Sequence, residues 1–159
     1  MAVEALAVLE ENATALSVPL LTDEDLAIAR RLNAEMSECV IAGNGERYGE
    51  LGHELHEVLY SRCPNRHLLE LVRSHAAQIR AIAKVHPVFS MAAARQSVRE
   101  HDVLFDLIEA GPIPAAEIAS RCRAHRLRTV RTILDDVGSR IGDFIDDPGP
   151  LFPDRIAEP

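Results

Sequence analysis

Apolar positions recur along this chain at spacings of three and four, the period of helices packed on one face. From Ala2 to about Ser17, Leu6, Leu9, Ala13 and Leu16 follow that rule, and Pro19 ends the segment. Thr22-Asp23-Glu24-Asp25 then opens a second helix, with Thr22 as cap and an acidic first turn that suits the helix dipole. Leu26, Leu32, Met36, Cys39 and Val40 are its apolar positions, up to the breaker Gly43-Asn44-Gly45. A third helix is predicted from about Glu46 to Arg62, where Cys63-Pro64-Asn65 turns the chain and Asn65 caps the fourth. The fourth carries Leu68, Val72, His75, Ile79 and Ile82 on one stripe and closes at His86-Pro87. The fifth runs from about Met91 to Ala110, with Ala94, Val98, His101, Phe105 and Ile108 alternating, and stops at Gly111-Pro112. The sixth starts after Pro114 and runs from about Ala115 to Val137, with Phe144 as its furthest end. Ile118, Cys122, His125, Thr129 and Ile133 share one of its sides.

No stretch alternates with period two, so no strand is expected. The pattern predicts an all-α antiparallel bundle of about six main helices over residues 1–142. An acidic, Pro-rich tail follows over 143–159.

Composition sharpens this picture. Apolar residues make up 47% of the 159 positions with no Trp, so packing must rest on Leu, Ile, Val and Ala. Seventeen basic against twenty-five acidic residues give a net charge of −8, which opposes binding of a polyanion by the domain surface. No segment has the apolar run that a membrane span needs, and the N-terminus lacks a signal-peptide pattern. Cys39, Cys63 and Cys122 are odd in number and form no CxxC pair, which points to buried thiols in a reducing cytoplasm.

Three histidines fall on apolar stripes. His56 lies with Gly52, Leu59 and Cys63 on the third helix, His101 with Phe105 on the fifth and His125 with Cys122 on the sixth. Each reads either as a core residue bonded to a carbonyl or carboxylate, or as a ligand. If those helices face one another, the three imidazoles can hold a divalent transition ion, zinc or nickel, with positions left open for water or a ligand oxygen. His53 is displaced about 60° around its helix from His56, towards the rim. His75 fits the core reading first. Arg121, Arg123, Arg126, Arg128 and Arg131 crowd the sixth helix, and Arg123 and Arg126 fall within its apolar arc. There they either pair with the surplus carboxylates or receive an organic anion. His53-Glu54-Leu55-His56 spaces its histidines i, i+3, whereas the HExxH metalloprotease helix needs i, i+4. There is no GxSxG and no phosphate loop, so no catalytic residue is assigned.

Glu-Leu-His-Glu-Val-Leu-Tyr-Ser-Arg-Cys-Pro-Asn, around His56, resembles the "FHxxL…(S)xN" segment of the FCD domain of FadR-type GntR transcriptional regulators. Glu100-His101-Asp102-Val103-Leu104 is similar to that family's "EHxxI" segment, and His125 falls where its final helix carries a third histidine. The Thr-Asp-Glu-Asp-Leu start of the second helix matches a further family pattern. The resemblance covers roughly residues 2–140.

It implies an effector-binding and dimerisation domain in which three histidines and one Asp or Asn hold a metal that binds a small organic acid. The position of that fourth ligand, four residues before the first histidine, is Gly52 here. Metal ligands are therefore expected at His56, His101 and His125. Gly52, His53, His75, Arg123 and Arg126 are the candidate ligand-binding positions. The expected partners are a second copy of the chain, a small carboxylate effector, and DNA through a winged-helix domain that this chain does not contain. No membrane partner is expected. A small metal-dependent helical enzyme and a metal-free interaction module are the alternatives.

Overall fold

The structure, a computed structural model, describes residues 2–85, 89–111 and 113–146. Six helices follow one another: α1 (Ala2–Ser17), α2 (Asp23–Ala42), α3 (Gly45–Tyr60), α4 (Arg66–Val85), α5 (Met91–Ala110) and α6 (Ala115–Asp146). A 3₁₀ turn, Val18–Leu20, follows α1 with Pro19 in its first positions. The described residues contain no strand, and the fold is the all-α bundle that the periodicity predicts. None of these helices is long and apolar enough to cross a membrane.

Local chemistry explains the helix ends. Thr22 and Asp25 form a reciprocal capping box, Thr22 Oγ1 accepting from Asp25 N at 3.2 Å and Asp25 Oδ2 accepting from Thr22 N at 2.9 Å. Gly43 closes α2 in the left-handed region at φ 68°, where a side chain would be strained. Asn44 caps α3, Asn65 accepts from Leu68 N at 3.1 Å, and Ser90 caps α5. Helix α3 stops at Tyr60, two residues before the expected Arg62. The chain tightens into i→i−3 bonds, Ser61 N to Val58 O and Cys63 N to Tyr60 O, ahead of Pro64. Helix α6 runs on to Asp146, past Phe144 and into the stretch read as tail. The stops at His86-Pro87 and Pro112, and the tail from residue 147 on, lie outside the described residues.

Helix α2 packs on α3 and α5, α1 packs on α6, α4 and α3, and α5 packs on α6. Two apolar clusters result. One joins Leu32 and Met36 of α2, Leu51, Leu55 and Leu59 of α3, Leu104 and Phe105 of α5, and Ile118 and Cys122 of α6. The other joins Leu6 and Ala13 of α1 to Tyr60, Cys63, Leu69, Val72 and Ala76. Helix α4 is rotated relative to the expected stripe. Leu69, Val72 and Ala76 form its buried line, which moves His75 to the margin.

A knot of polar contacts ties the start of α2 to the end of α3. Arg62 donates from Nε and Nη2 to the Asp25 carboxylate, at 2.9 Å each, and its backbone N–H reaches Ser17 Oγ at 3.0 Å. The Arg62 guanidinium beside Asp25, with the Thr22 bonds, holds that carboxyl far below the usual range.

Two glycines of α3 give opposite expectations. Gly49 has open space around the place of a Cβ, whereas a Cβ on Gly45 would lie 2.7 Å from Phe89 Cβ and Cγ. Gly49→Ala is expected to stabilise the domain by about 0.5–1 kcal/mol through helix propensity, and Gly45→Ala to destabilise it. Denaturant midpoints of the two variants check this.

Candidate metal centre

Three helices from distant parts of the chain bring His56 (α3), His101 (α5) and His125 (α6) together. All three residues are buried, at 7%, 2% and 8% exposure, and one ligand atom from each lies within 4.8 Å of the others. The ring centroids of His101 and His125 are 4.6 Å apart, and His56 lies 5.6 and 5.5 Å from them. The stripe positions anticipated from the helical period are those that converge.

The surrounding hydrogen bonds decide which nitrogen of each ring is available. Asn33 of α2 uses its amide nitrogen twice, on Val98 O and on Asp102 Oδ1, both at 2.9 Å. Its Oδ1, 2.9 Å from His101 Nδ1, must then accept, so that Nδ1 carries the proton. His125 Nδ1 donates to Glu100 Oε2 at 2.7 Å, a carboxylate that also accepts from Gln96 and Arg128. Burial alone would raise the Glu100 pKa, but the bonds from His125, Gln96 and Arg128 outweigh it and hold the carboxyl below its ordinary value. Both Nε2 atoms are therefore left as lone pairs, and they face each other at 3.1 Å. Ser97 Oγ is 3.3 Å from His125 Nε2. His56, although buried, has no hydrogen-bond partner at either ring nitrogen among the described residues.

Two opposed lone pairs and an unpartnered buried imidazole are unfavourable without a cation. The donors fit one. With metal–nitrogen bonds near 2.0–2.1 Å, neighbouring ligand atoms lie about 3–3.4 Å apart, the separation of the two Nε2 atoms. Protons fill this role poorly. Burial, reinforced by the Arg126 guanidinium and by neighbouring imidazoles, pushes His56 and His101 well below 6.5. His125 is also lowered, by burial first, with Glu100 pulling the other way.

The remaining candidates have separate places. Gly52 stands one turn before His56, and a Cβ there would lie 3.4 Å from Met36 Cε, the mobile end of that side chain. His53 is half-buried and pushed down to about 4, by desolvation first and then by Arg126 and Arg80, but it is not one of the converging ligands. His75 bonds Leu71 O through Nδ1 at 2.9 Å, at the edge of α4. Arg123 pairs with Glu11 at 3.1 Å. Arg126 is buried and holds Glu10 of α1 through Nε at 2.7 Å and Nη2 at 2.5 Å. Both arginines are thus ion-paired with carboxylates.

A family model for the FCD domain matches residues 2–137, which include all three histidines. The chain belongs to the FCD family. FCD domains are the C-terminal, regulatory ligand-binding domains of GntR-family regulators. No curated protein and no solved structure matches the chain.

Sequence reasoning missed Asn33, Ser97 and Glu10 in this FCD domain. Their signal was a polar residue at a helical core position: Asn33 between Ala29 and Met36, Ser97 four residues before His101, and Glu10 between Leu6 and Ala13. The buried imidazoles also set a pH dependence. The folded state keeps them neutral, while the unfolded chain takes up protons from 6.5 downwards, so unfolding binds protons and stability falls with pH. The thermal midpoint of the metal-free protein is expected to fall between pH 6.5 and about 4, the range set by His53. A midpoint flat across that range would mean that these rings are not held neutral.

Proposed function

We propose that this chain is the effector-sensing and dimerisation domain of a bacterial FadR-type GntR regulator. In this reading it binds a small organic acid through a divalent transition metal held by His56, His101 and His125. One observation carries the reading: three buried neutral imidazoles converge, two with lone pairs directed at each other 3.1 Å apart. A nitrogen-only set suits zinc or nickel, and the bound ion would supply a local positive centre for the effector carboxylate in a chain of net charge −8.

The protein's own groups prepare the site. Asn33 and Glu100 fix the tautomers of His101 and His125 and aim both Nε2 atoms inwards. Phe105 stacks beside His101, their ring centroids 6.3 Å apart, and helps to hold that ring in place. Gly52 leaves one side of the site without a charged donor, which favours an incoming carboxylate. Because the ligands come from α3, α5 and α6, occupancy biases how those helices pack. In a dimer that bias would reach the regulator's DNA-binding domains. The nearby carboxylates are engaged, Glu100 with His125 and Arg128 and Glu10 with Arg126, which favours sensing over turnover by a general base.

Calorimetry with zinc and nickel tests the reading. Wild type is expected to bind at least one of them, His101→Ala to lose binding while staying helical, and Gly52→Asp to bind more tightly. Binding of neither ion by wild type, with no rescue by Gly52→Asp, would remove the metal from the proposal. Light scattering at tens of micromolar is expected to give the mass of two chains, and a monomer would remove the dimer.

A further inference from the structure

Ser97 occupies a core position of α5, one helical turn before His101 and on the same face. It is 7% exposed, at a place where alanine or leucine would pack without a polar atom. Its hydroxyl lies 3.3 Å from His125 Nε2. That nitrogen is the lone-pair nitrogen of the ring, since Nδ1 is committed to Glu100. Thus Ser97 Oγ and His101 Nε2 both approach the same atom, at 3.3 and 3.1 Å. Both separations are those of neighbouring ligand atoms around one transition ion, about 3–3.4 Å. Among the described residues no carboxylate belongs to the converging group, and Gly52 has no side chain to offer.

We propose that Ser97 is the fourth protein ligand of this centre, its neutral Oγ standing in for the oxygen donor that Gly52 lacks. The assignment rests on the metal reading above and extends it to a residue on a different helix from Gly52. A hydroxyl has two lone pairs and one rotatable proton, which allows two states. Without an ion, the O–H donates to His125 Nε2 and relieves one of the two opposed lone pairs. With an ion, the same oxygen presents a lone pair and turns its proton away. The proton stays on Ser97 throughout, so no base is required. A neutral hydroxyl is a weaker donor than a carboxylate, and this leaves the ion more positive towards an incoming acid.

Cobalt(II) is the probe. Wild type, Ser97→Ala and Ser97→Cys are titrated with cobalt chloride and followed by visible and near-ultraviolet absorption, with circular dichroism as the check on folding. Wild type is expected to develop cobalt d–d bands without a thiolate band, since Cys39, Cys63 and Cys122 lie outside the converging group. Ser97→Cys is expected to add a thiolate-to-cobalt charge-transfer band. Ser97→Ala is expected to bind about tenfold more weakly, with altered d–d bands. If Ser97→Cys binds cobalt without the charge-transfer band, or Ser97→Ala matches wild type in affinity and spectrum, the Ser97 assignment is overturned while the three-histidine centre stands. A wild type that binds no cobalt overturns both.

Discussion

Two lone pairs held 3.1 Å apart inside a helical bundle set the terms for the rest of this domain. Neither ring can turn away at low cost. His101 is anchored through Nδ1 to Asn33, whose amide is itself fixed by Val98 O and Asp102, and His125 is anchored to a carboxylate that three groups share. The arrangement persists because two apolar clusters hold the helices together around it. Burial then makes the rings poor proton acceptors, and the three together are a group that could hold a metal ion.

Charge is managed in the same economical way. The chain carries a net −8, yet the acids nearest the histidines are spoken for. Glu10 is neutralised by Arg126 inside the α1–α6 contact, and Glu100 by Arg128 at the mouth of the α5–α6 contact. The centre is consequently lined by neutral donors. In the proposed reading, a dication held there would keep more of its charge for an anionic ligand than it would beside a coordinating carboxylate. The buried Glu10–Arg126 pair has a structural role as well. Removing either partner alone would leave an uncompensated charge in the interior, a loss of about 3–5 kcal/mol in comparable cases.

Much of the architecture was legible because its signals are local. Caps such as Thr22, Asn65 and Gly43 act on backbone groups within four residues, so their meaning survives without knowledge of the fold. The boundaries of α1 and α5 fall where periodicity and stop signals put them. The end of α3 does not, because the pull of Pro64 on the preceding turn competes with a helical pattern that runs on to Arg62. In α4, the stripe could equally have been centred on Leu68, Val72 and His75 or on Leu69, Val72 and Ala76. Contact with α1 selected the second.

By itself, then, the sequence determined six amphipathic helices and three histidines on their apolar faces, since a 3.6-residue period places those side chains inward whatever the partners are. It also carried the order of motifs that marks the family. The tertiary structure decided which groups hold those histidines. Asn33 meets His101 across 68 residues, Glu10 meets Arg126 across 116, and Ser97 meets His125 across 28. A hydrogen bond over such separations depends on how two helices are rotated and set in depth against each other. That is fixed by the packing of many side chains together, and no local pattern encodes it.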